Sequence, residues 1–249
     1  MDRFAGRADW FDEHYSSTRG RVRLALVLER LSHRLPPPPA RVLDAGGGTA
    51  AFAIPLAARG YDVTLLDASP EWAEVARANA AQRNVSLELV VGPVEEAAEL
   101  TQASFDAILC HAVLMYVDDP SRCLRALRSV AKAGAILSLL EKNSEGIALR
   151  PGFAGDYREA RRLLVETISA GRLGVENRSR SIGEWEDLLT ETDWRPIEWA
   201  GVRLFSDSAP DDLTAEEFQA LLNLERDAGT KESYRRVSRL LHLLAGAGP

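Results

Sequence analysis

Apolar and polar positions divide the chain into stretches of different character. The first 18 residues are polar with the aromatics Phe4, Trp10, Phe11 and Tyr15 interspersed, and read as an irregular or helical lid. Over 20–35, Val22, Leu24, Leu26, Val27, Leu31 and Leu35 recur at helical spacing with arginines between them, which predicts an amphipathic helix. The prolines of 36–39 stop it and form a stiff linker. Short apolar runs then alternate with helical stretches. Strands are predicted at 42–43, 63–66, 87–91, 105–110 and 135–140, and helices at 52–58, 69–83 and 124–131. Ser69 is placed to cap the second of these helices, with Pro70 in its first position. Such alternation predicts a parallel sheet covered on both faces.

After Asn143 the pattern changes. Residues 144–180 carry Arg150, Arg158, Arg161, Arg162, Arg172, Arg178 and Arg180 among several glycines, and read as an insertion with one helix near 156–170. Ser181 and Glu184 have capping-box spacing and open another helix. A strand is predicted at 194–205, and helices at 214–228 and 235–244. No internal repeat is visible, so 1–249 reads as a single domain. Its parts are an N-terminal helical lid (1–35), a ligand-binding core (40–143), a helical insertion over the site (144–180) and a C-terminal part (181–249).

Composition narrows the class. With 46% apolar and 27% charged residues in 249, the chain is globular rather than disordered. No apolar run reaches the roughly 18 residues of a membrane helix, and 1–17 has no signal-peptide core, so a cytoplasmic, membrane-free setting is expected. Cys110 and Cys123 make neither a disulfide framework nor a structural zinc site. The four histidines are scattered, so no metal is expected. The net charge of -7 speaks mildly against non-specific nucleic-acid binding.

The chemistry is carried by Val42-Leu43-Asp44-Ala45-Gly46-Gly47-Gly48-Thr49-Ala50. A strand runs into glycines, which permit a tight turn and a ligand's close approach to the backbone. Twenty-one positions after Gly46, Asp67 ends the next strand, where a carboxylate can accept hydrogen bonds from two vicinal ribose hydroxyls. The two features point to an adenosine-containing ligand. Gly46-x-Gly48-x-x-Ala51 also fits a dinucleotide fingerprint. Asp44 tips the choice: it repels a pyrophosphate but suits the ammonium of an amino acid, and S-adenosylmethionine carries both an ammonium and a sulfonium.

On these residues, 41–140 resembles the class I S-adenosylmethionine-dependent methyltransferases, with Phe105-Asp106-Ala107-Ile108-Leu109-Cys110-His111-Ala112-Val113-Leu114 falling in the family's order. The resemblance implies a Rossmann-like α/β fold: a mostly parallel seven-stranded sheet flanked by helices, the last strand antiparallel. It implies cofactor contacts from Asp44, Gly46, Gly47, Gly48, Asp67 and Ala68, with Val94 and Glu95 at the adenine, and S-adenosylhomocysteine as product.

A closer resemblance covers nearly the whole chain. Thr18-Arg19-Gly20-Arg21-Val22-Arg23, His111-Ala112-Val113-Leu114, Gly201-Val202-Arg203-Leu204-Phe205 and Leu221-Leu222-Asn223-Leu224-Glu225 are similar to the bacterial tRNA 5-carboxymethoxyuridine methyltransferase group. It implies that Arg23 meets the methionine carboxylate, that His111 lies near the cofactor, and that Arg180 and Arg203 orient a carboxylate acceptor on a wobble uridine. Two departures fall where the acceptor binds. The group's tRNA-facing loop is lysine-rich, whereas 170–180 has arginines without a lysine run. The group has aromatics after the fifth strand, whereas this chain has Glu141 and Lys142. The acceptor therefore stays open between tRNA and a small metabolite. A phenol, alcohol or amine would call for a base, with His111 or Glu141 the candidates. A non-catalytic domain that binds an adenosine ligand is the third reading.

Overall fold

The computed structural model describes residues 15–170 and 174–248. Phe4, Trp10 and Phe11 of the expected lid, and Arg172 of the insertion, lie outside them. The strands of the described chain are β1 (Arg41–Ala45), β2 (Asp62–Asp67), β3 (Glu88–Val91), β4 (Phe105–His111), β5 (Ala131–Lys142), β6 (Ile168–Ala170), β7 (Glu176–Arg178), β8 (Trp194–Val202) and β9 (Leu240–Ala247). Seven form one sheet in the order β3-β2-β1-β4-β5-β9-β8. β1 to β5 pair in parallel, and β9 runs antiparallel to both β5 and β8. The central strands are apolar runs buried on both faces, as parallel strands under helices must be: Val42, Leu43, Leu65, Leu66, Ile108 and Leu109 are all buried.

The helices are α1 (Thr18–Ser32), α2 (Ala53–Ala57), α3 (Pro70–Gln82), α4 (Ala97–Thr101), α5 (Pro120–Ser129), α6 (Leu149–Phe153), α7 (Tyr157–Arg162), α8 (Ile182–Glu191), α9 (Ala215–Ala228) and α10 (Glu232–Arg235). α1 lays Val22, Leu26, Val27 and Leu31 on one face of the sheet, together with Phe52 and Leu56. Trp185 of α8 and Trp194 fill the other face with Leu124 and Leu127 of α5. Trp194 Nε1 donates to the Leu124 carbonyl at 3.1 Å, so its indole is satisfied inside the core.

The alternating core follows the predicted order, and the Ser181–Glu184 capping box is formed. Ser69 is the residue before α3, but its side chain makes no capping bond. Three C-terminal expectations are corrected. In place of the helix expected at 235–244, α10 ends at Arg235 and β9 begins at Leu240. Its Leu-Leu-His-Leu-Leu-Ala run is apolar at every second and every third position alike, so periodicity cannot separate the two forms; pairing on both sides decides for strand. The helix expected at 156–170 ends at Arg162, and Ile168–Ala170 pairs with Glu176–Arg178 as a hairpin. The strand expected to reach 205 stops at Val202, because Arg203 takes a positive φ of 66°.

Candidate active site

β1 leaves the sheet between β2 and β4, where the strand order reverses, so a crevice opens beyond its carboxyl end. The glycine loop forms the floor. Gly46 and Gly48 have φ of +71° and +53°, and a Cβ on Gly46 would stand 2.3 Å from Val113 Cγ2. Asp67 fixes this loop: Oδ2 accepts from Gly48 N at 2.9 Å and Oδ1 from Ser69 N at 3.0 Å. An ionised carboxylate has about four lone-pair sites, which suits it to several N–H or O–H donors at once.

A cavity of about 500 Å³ brings Gly46, Gly47, Gly48, Asp67 and Ala68 together with Val94 and Glu95, and Arg23 and His111 line it from α1 and β4. Tyr15, Trp72 and Tyr116 line it as well. Tyr15 is an aromatic of the expected lid, whereas Trp72 and Tyr116 were not singled out from the sequence, where an aromatic outside a motif looks like any core residue. Arg23 is buried; its Nη2 donates to the Tyr15 hydroxyl at 2.8 Å, and its Nε has no partner. Asp44 is not on the cavity wall. It lies beneath Gly47, whose added Cβ would come within 3.0 Å of Asp44 Cγ. Its Oδ2 has no partner, and burial, followed by the charge of Asp67, pushes its carboxyl up to about 7. A guanidinium and an acid, each with an orphaned buried atom, fit the carboxylate and ammonium of an amino-acid ligand.

Two buried glutamates shape the approach. Glu141 Oε1 accepts from Val113 N (3.1 Å) and Leu114 N (2.7 Å), and Oε2 accepts from Met115 N (3.1 Å). Burial pushes this carboxyl up to about 8 against the pull of those three N–H groups and of Arg180. With both oxygens held by backbone, Glu141 is a brace for the loop after β4 rather than the base that the sequence allowed. Glu225 does the same for Leu204, Phe205 and Ser206, with N···O distances of 2.7–3.1 Å. These partners lie 19–28 residues apart in sequence, beyond any local signal.

Cations gather past the ends of β5 and β8. Lys142 Nζ donates to Ser169 Oγ at 3.3 Å and to Asn177 Oδ1, tying β5 to the β6–β7 hairpin. Burial, then Arg239, Arg203 and Arg150, push its ammonium down to about 7. Arg203 is buried and paired with Asp207, and its charge is felt at Tyr15 on the cavity wall. Arg180 is buried with its guanidinium 5.1 Å from the Trp185 ring and Nη1 without a partner. Neither Arg180 nor Arg203 lines the cavity itself.

His111 is held well below the ordinary histidine range by burial and then by Arg23, so it is neutral at physiological pH and a weak base. Burial, then Glu141, raises the Cys110 thiol well above its usual range. Among the described residues no group of three potential ligands could hold a metal, and no helix is long and apolar enough to cross a membrane.

A family model described as a methyltransferase domain matches residues 43–139. The chain is 31% identical over 243 residues to the tRNA 5-carboxymethoxyuridine methyltransferase of Escherichia coli strain K12, covering 93% of this chain and 90% of that one. It is 35% identical over 152 residues to a ubiquinone biosynthesis O-methyltransferase of Xanthomonas axonopodis pv. citri, covering 60% and 64% respectively. The magnesium protoporphyrin IX methyltransferase of Synechocystis, solved with bound S-adenosylhomocysteine, shares the fold at a TM-score of 0.59 and 15% identity, over 92% of this chain and 83% of that one. The chain belongs to the class I S-adenosylmethionine-dependent methyltransferase family, and this sets aside the reading as a non-catalytic binding domain.

Proposed function

We propose that this S-adenosylmethionine-dependent methyltransferase esterifies a carboxylate, and that its acceptor is a carboxymethoxy-modified uridine at the wobble position of tRNA. The carrying observation is the cluster of Lys142, Arg150, Arg203 and Arg239 beyond β5 and β8, a suitable setting for an anionic acceptor. The long match to a tRNA-modifying relative supports this reading.

S-adenosylmethionine, when bound, supplies an electrophilic methyl on a sulfonium. The chain's part is to hold and orient. Arg23 takes the amino-acid carboxylate, Asp44 the ammonium, Asp67 the ribose hydroxyls, and Val94 and Glu95 the adenine. A carboxylate acceptor, with a pKa of about 4, is already ionised at neutral pH and needs no base. This agrees with a site whose His111 is neutral and whose Glu141 is committed to backbone. Arg203 and Arg180 orient the acceptor, and Tyr15 holds the Arg23 guanidinium at the cavity wall.

The test is methyl transfer to tRNA taken from cells lacking the enzyme, with nucleosides read by mass spectrometry. A new methyl ester on the wobble uridine is the expected product, formed less readily as salt rises. Unmodified tRNA with turnover on a small acid or phenol would transfer the assignment to the metabolite reading. One observation favours that second reading: Arg162 of the insertion is bound by both Glu159 and Glu166, which removes a cation from any phosphate track.

A further inference from the structure

A buried chain of three polar side chains crosses the sheet under α1, and two of its members, Ser138 and His242, have no part in the mechanism above. His111 Nε2 lies 2.8 Å from Ser138 Oγ, and Ser138 Oγ lies 2.8 Å from His242 Nε2. The three residues sit on β4, β5 and β9 and are all buried. The Nδ1 atoms of both rings are buried without a partner. Burial depresses both imidazoles, aided by Arg23 at His111 and by Arg30 and His111 at His242, so both rings are neutral.

The hydroxyl between them sets a rule. A serine hydroxyl has one proton to give. If it donates to one ring, the other ring must donate to it, and the two histidines then hold opposite tautomers. If it accepted from both, its own proton would be orphaned in the core. The direction follows from which orphan is tolerable. Both Nδ1 atoms are buried, but of the two rings only His111 lines the cavity. A buried N–H without an acceptor is rarer than an unsatisfied lone pair, so the N–H falls to the ring beside the cavity and the bare nitrogen to the ring sealed in the core. His242 therefore keeps its proton on Nε2 and gives it to Ser138. Ser138 in turn donates to His111 Nε2, and the His111 proton resides on Nδ1.

We propose that His242, acting through Ser138, is a positioning residue that fixes His111, the ring of the pair that lines the cavity, as its Nδ1-protonated tautomer. This assignment goes beyond the proposed acceptor and does not depend on it.

The test is ¹⁵N NMR of the imidazole nitrogens in the full chain, which has only four histidines to assign. The expected spectrum shows protonated Nδ1 and bare Nε2 for His111, the reverse for His242, and no titration of either ring near neutral pH. Ser138→Ala should remove the single tautomer at His111. His242→Gln offers an amide donor in place of Nε2–H and should preserve it. Matching tautomers on the two rings, a proton on His111 Nε2, or a His111 tautomer unmoved by Ser138→Ala would each overturn the proposal. The wild-type spectrum decides it even if a variant does not fold, and failure of tRNA as substrate would leave the spectrum unchanged.

Discussion

On one side of the site, Asp44 and Asp67 stand behind a glycine loop in which backbone does most of the work. On the other, Lys142, Arg150, Arg203 and Arg239 crowd the ends of β5 and β8 on long side chains. Both sides are stiffened by the same device, a buried glutamate gripping three successive N–H groups: Glu141 for 113–115 and Glu225 for 204–206. The bulk charge of -7 is therefore uninformative about the ligands. An acidic floor suits a cationic donor molecule, and a cationic rim suits an anionic acceptor.

The largest expected effect breaks one brace. Glu141→Ala orphans three buried N–H groups and should destabilise the fold by about 3–5 kcal/mol, read from denaturant unfolding. Glu225→Ala should cost a similar amount, yet spare S-adenosylhomocysteine binding in the folded fraction; equal loss of binding in both variants would erase the distinction between the two sides. Next, Asp67→Ala should weaken S-adenosylhomocysteine by about 100-fold, roughly 3 kcal/mol for a charge-assisted group, measured by calorimetry. Arg203→Ala should then lower methyl transfer by about 30-fold, roughly 2 kcal/mol, with the S-adenosylhomocysteine Kd unchanged. A matching loss of Kd would move Arg203 to the cofactor side.

The smallest effect is one of pH. The Asp44 carboxyl is raised from 3.8 to about 7 in the folded chain. Its contribution to stability is therefore present in acid and is lost as pH rises through about 7. An ammonium ligand selects the ionised form, so S-adenosylhomocysteine should bind up to about tenfold more weakly per pH unit below 7. Asp44→Asn should flatten that slope.

The cofactor side was legible in the sequence because its signals are local. A strand, three glycines and an acid at the next strand end are fixed by spacing alone, and the structure places Gly46, Gly47, Gly48 and Asp67 around one cavity. The proposed acceptor side was not, because its geometry comes from distant pairings. The β6–β7 hairpin holds only three residue pairs, too short for a period to show. Glu141 and Lys142 looked like departures from a family pattern, and only the fold shows one bracing a loop and the other tying down the hairpin. The β9 strand was hidden for the opposite reason, an apolar run broken only by His242.

The position of β9 also bears on biogenesis. β8 precedes it in the sequence but reaches the sheet only through it, since β9 lies between β5 and β8. During translation, β1 to β5 can pair as they emerge, while β8 must wait for a later segment to supply its neighbour. The glycine-loop crevice is thus outlined before the proposed acceptor rim exists, and a ribosome-bound intermediate would expose the bare edge of β5. Such an edge is a natural target for a chaperone and a natural starting point for misassembly.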